Sequence, residues 1–222
     1  MPGSAPVVVD SAGCGATMKE YGRLLDSREA HAFNARVMDF SEWLALQPLL
    51  ELRPMATEVV VQDPCHLRHA QKSHLAVRTV LAPAYTLVET ADEGLCCGAG
   101  GAYTLTQPVL SRRILDRKVD ALRAVARNAD PIVASANPGC MVQLRAAGID
   151  ARHPADLIAE RLAAIEEELR DLAYERLRQA ARSPEGEAGI QAAAEERRLL
   201  QARRAIAKAI RALAPSTGVE EA

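Results

Sequence analysis

No run of eighteen apolar residues occurs anywhere in the 222-residue chain, so the sequence offers no helix of membrane-spanning length. Charge of one sign is also missing: 27 Lys and Arg stand against 29 Asp and Glu, for a formal net charge of -2. A chain without basic excess lacks the electrostatic footprint of a nucleic-acid binder, and no nucleic-acid partner is expected. The N-terminal MPGSAPVVVDSAGCG has no basic region followed by a signal-type apolar segment, and the expectation is a cytoplasmic protein. A GxGxxG fingerprint after the first strand is absent, so neither flavin nor nicotinamide is expected within this chain. What remains is ordinary globular material, 49% hydrophobic and 25% charged, enough for one core and an appendage. Five cysteines make an odd count, and without an export signal a metal or redox role outranks a disulfide framework.

Short β-branched runs alternate with helical patterns. VVVDSAGC (7–14) precedes GATMKEYGRLL, and EVVVQDPC (58–65) precedes HLRHAQKSHLAVRTVL. YTLVET (85–90) leads through LCCGAGG to the helical segment 109–126, and PIVASANPGC (131–140) precedes MVQLRAAG. Such βα alternation predicts an α/β fold, a parallel sheet with flanking helices. Cys14, Cys65 and Cys140 each fall just past a predicted strand, at the start of a helix; Cys96 and Cys97 lie a few residues past theirs. Parallel strands bring such loops to one sheet edge, where α/β proteins bind ligands.

Adjacent thiols are awkward for a single metal ion, which normally draws its ligands from separated positions such as CxxC. A cluster of several irons offers distinct metal atoms to Cys96 and Cys97. The glycines of GAGG permit close backbone approach, and helix N-termini stabilise the charge of a thiolate-bound cluster.

Cys65, thirty intervening residues, Cys96-Cys97-Gly98, forty-one more residues and Cys140 form a pattern that resembles the CCG cysteine-rich domain of the heterodisulfide reductase and glycolate oxidase iron-sulfur subunit families. DPCHLRHAQ, CCGAGGAYTLTQP and NPGCMVQL are similar to the glycolate oxidase iron-sulfur subunit in particular, over residues 5–163. The resemblance implies a non-catalytic electron-transfer subunit. It would take electrons from a flavin-containing subunit that oxidises a 2-hydroxy acid and pass them towards the respiratory chain. Cys65, Cys96, Cys97 and Cys140 are the implied ligands, with no catalytic residue in this chain. The family motif ends in CxxC, whereas here the segment reads Asn137-Pro138-Gly139-Cys140. With four cysteines in the motif a [4Fe–4S] cluster is the simpler expectation, its ligand sulfurs on the order of 6 to 8 Å apart. Peripheral association with the inner membrane would come through partners.

The chain also repeats itself. Aligning Cys14 with Cys140 places Val7 on Val133, Gly13 on Gly139 and Gly22 on Gly148, so residues 5–25 resemble the end of a preceding CCG repeat. The C-x2-C-x2-C-x3-C-P run of the N-terminal part of family members is absent, and an upstream ferredoxin-type fragment is therefore an implied partner. Cys14, lacking companions from its own repeat, is expected to be idle rather than a fifth ligand.

Two other classes of function compete. One is a zinc-stabilised binding or scaffolding module built on the same thiols; the other is a thiol-based reductase using Cys96 and Cys97. Around the thiols, His66 and His69 are ligands or proton donors on one reading and part of a solvated helix face with His74 on the other. Asn137 is read as a turn or cap residue ahead of Pro138, and Tyr103 and Gln107 as pocket-lining. Arg112, Arg113, Arg117, Lys118 and Arg123 read as one solvated face of a helix, with a docking surface as the alternative.

The CCG-type domain is bounded at 1–163, a helical extension at 164–214 and a disordered tail at 215–222. Within the extension Leu162, Ile165, Leu169 and Leu172 recur at helical spacing, SPEGEAG (183–189) interrupts, and a second helix runs through Leu199, Ile206, Ile210 and Leu213. A helical hairpin follows, with Arg197, Arg198, Arg203 and Arg204 on its solvated face or against an acidic partner.

Overall fold

A computed structural model of the chain describes residues 3–48, 55–92 and 94–213. It divides into two compact units, one through Leu157 and one from Ile158 onwards. The expected disordered tail at 215–222 lies outside the described residues.

The first unit is built on a four-stranded parallel sheet: β3 (Glu58–Gln62) in the middle beside β4 (Thr86–Glu89) and β5 (Ile132–Ser135), with β6 (Asp150–Arg152) outside β5. Register is continuous, Val60 lying opposite Val88 on one side and Val133 on the other. The run of valines in β3 is unbroken because both sheet faces are covered, and alternate residues feed alternate faces. Val60 and Val133 join Leu115, Leu122, Met141 and Leu144 in one core cluster, contributed by α7 (Pro108–Val125) and α8 (Pro138–Ala146). Val59 and Val61 are equally buried, as are Val77, Val80 and Leu81 of α5 (Leu75–Leu81).

A second, two-stranded parallel sheet pairs β1 (Val7–Val9) with β2 (Val37–Asp39) through α1 (Ala12–Lys19), α2 (Tyr21–Leu25) and α3 (Arg28–Asn34). Ala12 N donates to Ala136 O at 3.2 Å and Gln71 Nε2 donates to Ala12 O at 2.8 Å, which ties the start of α1 to the ends of β5 and the segment after β3. The β1–β2 unit mirrors β5–β6, also parallel and also joined through helix. Even their exits agree. Asp39 accepts from Ser41 N and its own N–H donates to Glu42, opening α4 (Phe40–Ala45). His153 Nδ1 accepts from Ala155 N, and its N–H donates to Asp156, opening α9 (Pro154–Arg182).

Two expectations are corrected. The segment 66–81 is not one helix: a π-helical turn covers His66–Ala70, the chain reverses through Lys72 at φ 58°, and α5 starts afterwards. The segment 15–25 is likewise split at Glu20 into α1 and α2. Strands β2 and β6, three residues each, had too little periodicity to be read from sequence.

The second unit pairs α9 with α10 (Glu187–Leu213) across the 183–186 connection. Ion pairs from Arg203 to Glu166 and from Arg176 to Glu195, the latter at 2.8 Å, run in opposite sequence sense and make the pair antiparallel. Arg203 is thus engaged within the hairpin. Ala173 and Ala192 are nearly fully buried, while Leu172, expected in the stripe, is 44% exposed. At 3.6 residues per turn, a stripe through 162, 165 and 169 drifts onto 173 rather than 172. The close approach at the connection uses Gly189, where a Cβ would collide with Ser183 O. Among the described residues no helix is long and apolar enough to cross a membrane.

Candidate functional site

The strand order decides where the cysteines go. β3 sits between β4 and β5, so the segments leaving their C-terminal ends are neighbours. Cys65 follows β3 and caps the π-helical turn; Cys96 and Cys97 follow β4; Cys140 is in the first turn of α8 after β5. Three successive strand ends therefore deliver four thiols to one edge. Cys97 and Cys140 are buried, at 2% and 3% exposure, and Cys65 and Cys96 are half-buried.

Cys97 Sγ lies 2.8 Å from Cys140 Sγ. This is shorter than the roughly 6 to 8 Å expected of cluster ligands, the two sulfurs facing each other directly. Among the described residues no three Cys, His, Asp or Glu side chains stand in the spacing of ligands around one metal ion. The four thiols shift one another's acidity. Contact with Cys65, then with Cys97, and the Gly98 N–H at 3.3 Å hold Cys96 well below the usual thiol range. Contact with Cys97, with the Asn137 amide and the Lys118 cation adding to it, lowers Cys140 against the effect of burial. Their partners move the other way: contact with Cys96 and then burial raise Cys65, and contact with Cys140 and Cys96 raises Cys97.

The backbone and the surrounding charges hold this edge in shape. Gly98 is at φ +84°, and a Cβ there would stand 2.5 Å from Ser111 O, so only glycine lets the CCG loop lie against α7. Ser111 Oγ in turn donates to Gly98 O at 2.9 Å. Lys118, fully buried, donates to Asp92 Oδ2 at 2.6 Å, and Asp92 accepts from Thr90 Oγ1 and Gly94 N at its other oxygen, fixing the loop ahead of Cys96. On the β3 side, buried Asp63 receives Arg68 at 2.8 Å and both terminal nitrogens of Arg78, while Arg78 also pairs with Glu89 of β4. Burial acts to raise the Asp63 carboxyl, but the bonds from Arg78 and Arg68 prevail and hold it below the usual range.

Several residues stand elsewhere than the sequence suggested. Lys118 is not on a solvated face: it falls on the side of α7 that carries Leu115, Val119 and Leu122, whereas Arg112, Arg113, Arg117 and Arg123 point away from that side. His66 is exposed, with Nδ1 3.7 Å from Cys65 Sγ; His69 is exposed, and His74 is set apart by the break before α5, with its Nδ1 buried and without a partner. Gln107 is exposed between α6 (Tyr103–Thr106) and α7, and Tyr103 packs under Gly100. Asn137 starts α8 but makes no side-chain cap bond; its amide nitrogen lies 3.3 Å from Cys140 Sγ. Cys14 is exposed on α1. Sequence reasoning missed Asp63, Asp92 and Arg78, although an Asp immediately ahead of Pro64-Cys65 was the available signal.

Residues 59–145, which contain all four converging cysteines, match the CCG family of cysteine-rich domains. It is this segment, and not the chain as a whole, that carries the CCG-type cysteine-rich domain. The chain is 34% identical over 168 residues to the glycolate oxidase iron-sulfur subunit of Escherichia coli, an alignment covering 72% of this chain and 40% of that protein. The probable glycolate oxidase iron-sulfur subunit of Bacillus subtilis is 32% identical, over 69% of this chain and 38% of the relative. A fumarate reductase (CoM/CoB) polypeptide of Methanothermobacter marburgensis is 29% identical, over 65% and 28% respectively. The chain thus spans well under half the length of these curated relatives.

Proposed function

We propose that this CCG domain holds one iron-sulfur cluster on Cys65, Cys96, Cys97 and Cys140 and serves as the electron-transfer portion of an oxidoreductase complex of the glycolate oxidase type. The observation that carries the reading is the delivery of four thiols, two of them adjacent, by three neighbouring strand ends. The residues fit such a group. All four donors are sulfur, N–H groups of Gly98 and Asn137 point at two of the sulfurs, and the glycine loop keeps the backbone close. A bound cluster, [4Fe–4S] in this proposal, would supply one-electron storage near the protein surface. The chain's own residues would do the rest: all four cysteines would bind as thiolates, and the buried Lys118 would offset part of the accumulated negative charge.

The names of two relatives support a place in a complex of the glycolate oxidase type, and the further steps belong to the same proposal. Electrons would enter from a flavin-containing dehydrogenase subunit acting on a 2-hydroxy acid and leave towards the respiratory chain, at a cytoplasmic site reaching the inner membrane through partners; an upstream ferredoxin-type fragment would complete the assembly. Substitution of each cysteine by Ser tests the ligand set. Cys65→Ser, Cys96→Ser, Cys97→Ser and Cys140→Ser should each lower iron and sulfide content sharply in anaerobically prepared protein, whereas Cys14→Ser should leave both unchanged. Full iron and sulfide in all four motif variants contradicts the assignment.

A further inference from the structure

Asn137 stands three residues before Cys140, as Ser11 stands three residues before Cys14, and the two equivalent positions meet: Ser11 Oγ donates to Asn137 Oδ1 at 3.4 Å. Gly13 N donates to the same oxygen at 3.3 Å. A backbone N–H can only donate, so the oxygen of the Asn137 amide must face Gly13, and this fixes which end of the amide is nitrogen. That nitrogen then faces Cys140 Sγ, 3.3 Å away. An asparagine at the start of a helix ordinarily accepts from the backbone N–H groups one turn in, and Asn137 does not.

We infer that Asn137 is a positioning residue that sets the reduction potential of the site through Cys140, and that the β1–α1 segment holds it in register through Ser11 and Gly13. The inference rests on the cluster reading above. A hydrogen bond to a ligand sulfur stabilises the more negative, reduced state, so the Asn137 amide raises the potential. Residues 11–13, remote in sequence from the motif, thereby act on a cysteine they do not touch.

The test is a redox titration of the full chain followed by electron paramagnetic resonance, with iron and sulfide measured on each sample. Asn137→Asp keeps an oxygen for Gly13 and Ser11 but replaces the donor facing Cys140. Asn137→Ala removes both functions. Both variants should keep iron and sulfide and shift the potential lower. Ser11→Ala should shift it in the same direction by less, and that shift should vanish when Asn137 is already Ala. Clusters retained at unchanged potential in both Asn137 variants overturn the inference while leaving the cluster reading intact. Iron lost from Asn137→Ala at unchanged thermal stability also overturns it, because Asn137 would then be a ligand. An unsubstituted chain that takes up no iron and sulfide contradicts the cluster reading, and the inference falls with it.

Discussion

Gly98 combines two demands on one residue: its positive φ and tight packing against Ser111 O exclude a side chain, and its N–H reaches Cys96 Sγ. Gly98→Ala should therefore destabilise the fold by more than about 1 kcal/mol and lower iron content together, measured by thermal unfolding and metal analysis. Asp39 provides a pH-dependent counterpart away from the thiols. Burial raises its carboxyl from 3.8 to about 6, with Oδ2 left without a partner. A folded-state value above the unfolded one means stability that is present below about pH 4 and lost as pH rises through about 6. Asp39→Asn keeps the oxygen that accepts from Ser41 and removes the ionisation. Its melting temperature relative to the unsubstituted chain should rise between about pH 4 and pH 7, by the equivalent of at most about 3 kcal/mol. A difference independent of pH contradicts this. Burial of His153 lowers its ring below the usual value and has the opposite slope, stability falling as pH drops, but it is common to both proteins and cancels in the comparison.

At the scale of elements, the helix α7 shows how a composition-based reading fails and a positional one succeeds. Five basic residues in twelve invite the picture of a solvated face, yet Lys118 lies three residues from Leu115 and four from Leu122, on the stripe that packs against the sheet. A lysine there is tolerated because Asp92 is waiting for it, and nothing in the local sequence announces a partner 26 residues away. Lys118→Met leaves Asp92 buried without its cation and should cost about 3 to 5 kcal/mol in urea unfolding, whereas Lys118→Met combined with Asp92→Asn should recover part of that loss. Equal stability of the two variants would show that the pair does not couple. The βα alternation and the positions of the cysteines at strand ends were legible because long β-branched runs and glycine-proline punctuation are local signals. The π-helical turn after Cys65 was not, because its helical periodicity is continuous with that of α5 until Lys72 reverses the backbone. Asn137 was legible as the first residue of a helix; its aim towards Cys140 depended on Ser11 and Gly13, more than a hundred residues earlier.

For the whole molecule, every converging cysteine lies in the unit that ends at Leu157, and the unit from Ile158 onwards contributes none. The hairpin of α9 and α10 was visible from its periodicity and from the SPEGEAG interruption, but not its ion pairs, which depend on register between helices. Strand β1 and its likeness to β5 were legible from VVV and from the alignment of Cys14 with Cys140, whereas β2 became interpretable only in three dimensions, where the pairing of β1 with β2 places residues 7–39 beside the site. The central claim concerns what the gathered thiols hold. Protein prepared without oxygen should contain iron and acid-labile sulfide, roughly four of each per chain for a [4Fe–4S] cluster, absorb broadly near 400 nm and bleach on reduction. Stoichiometric zinc with no sulfide would contradict the account and assign the four cysteines to a structural metal site instead.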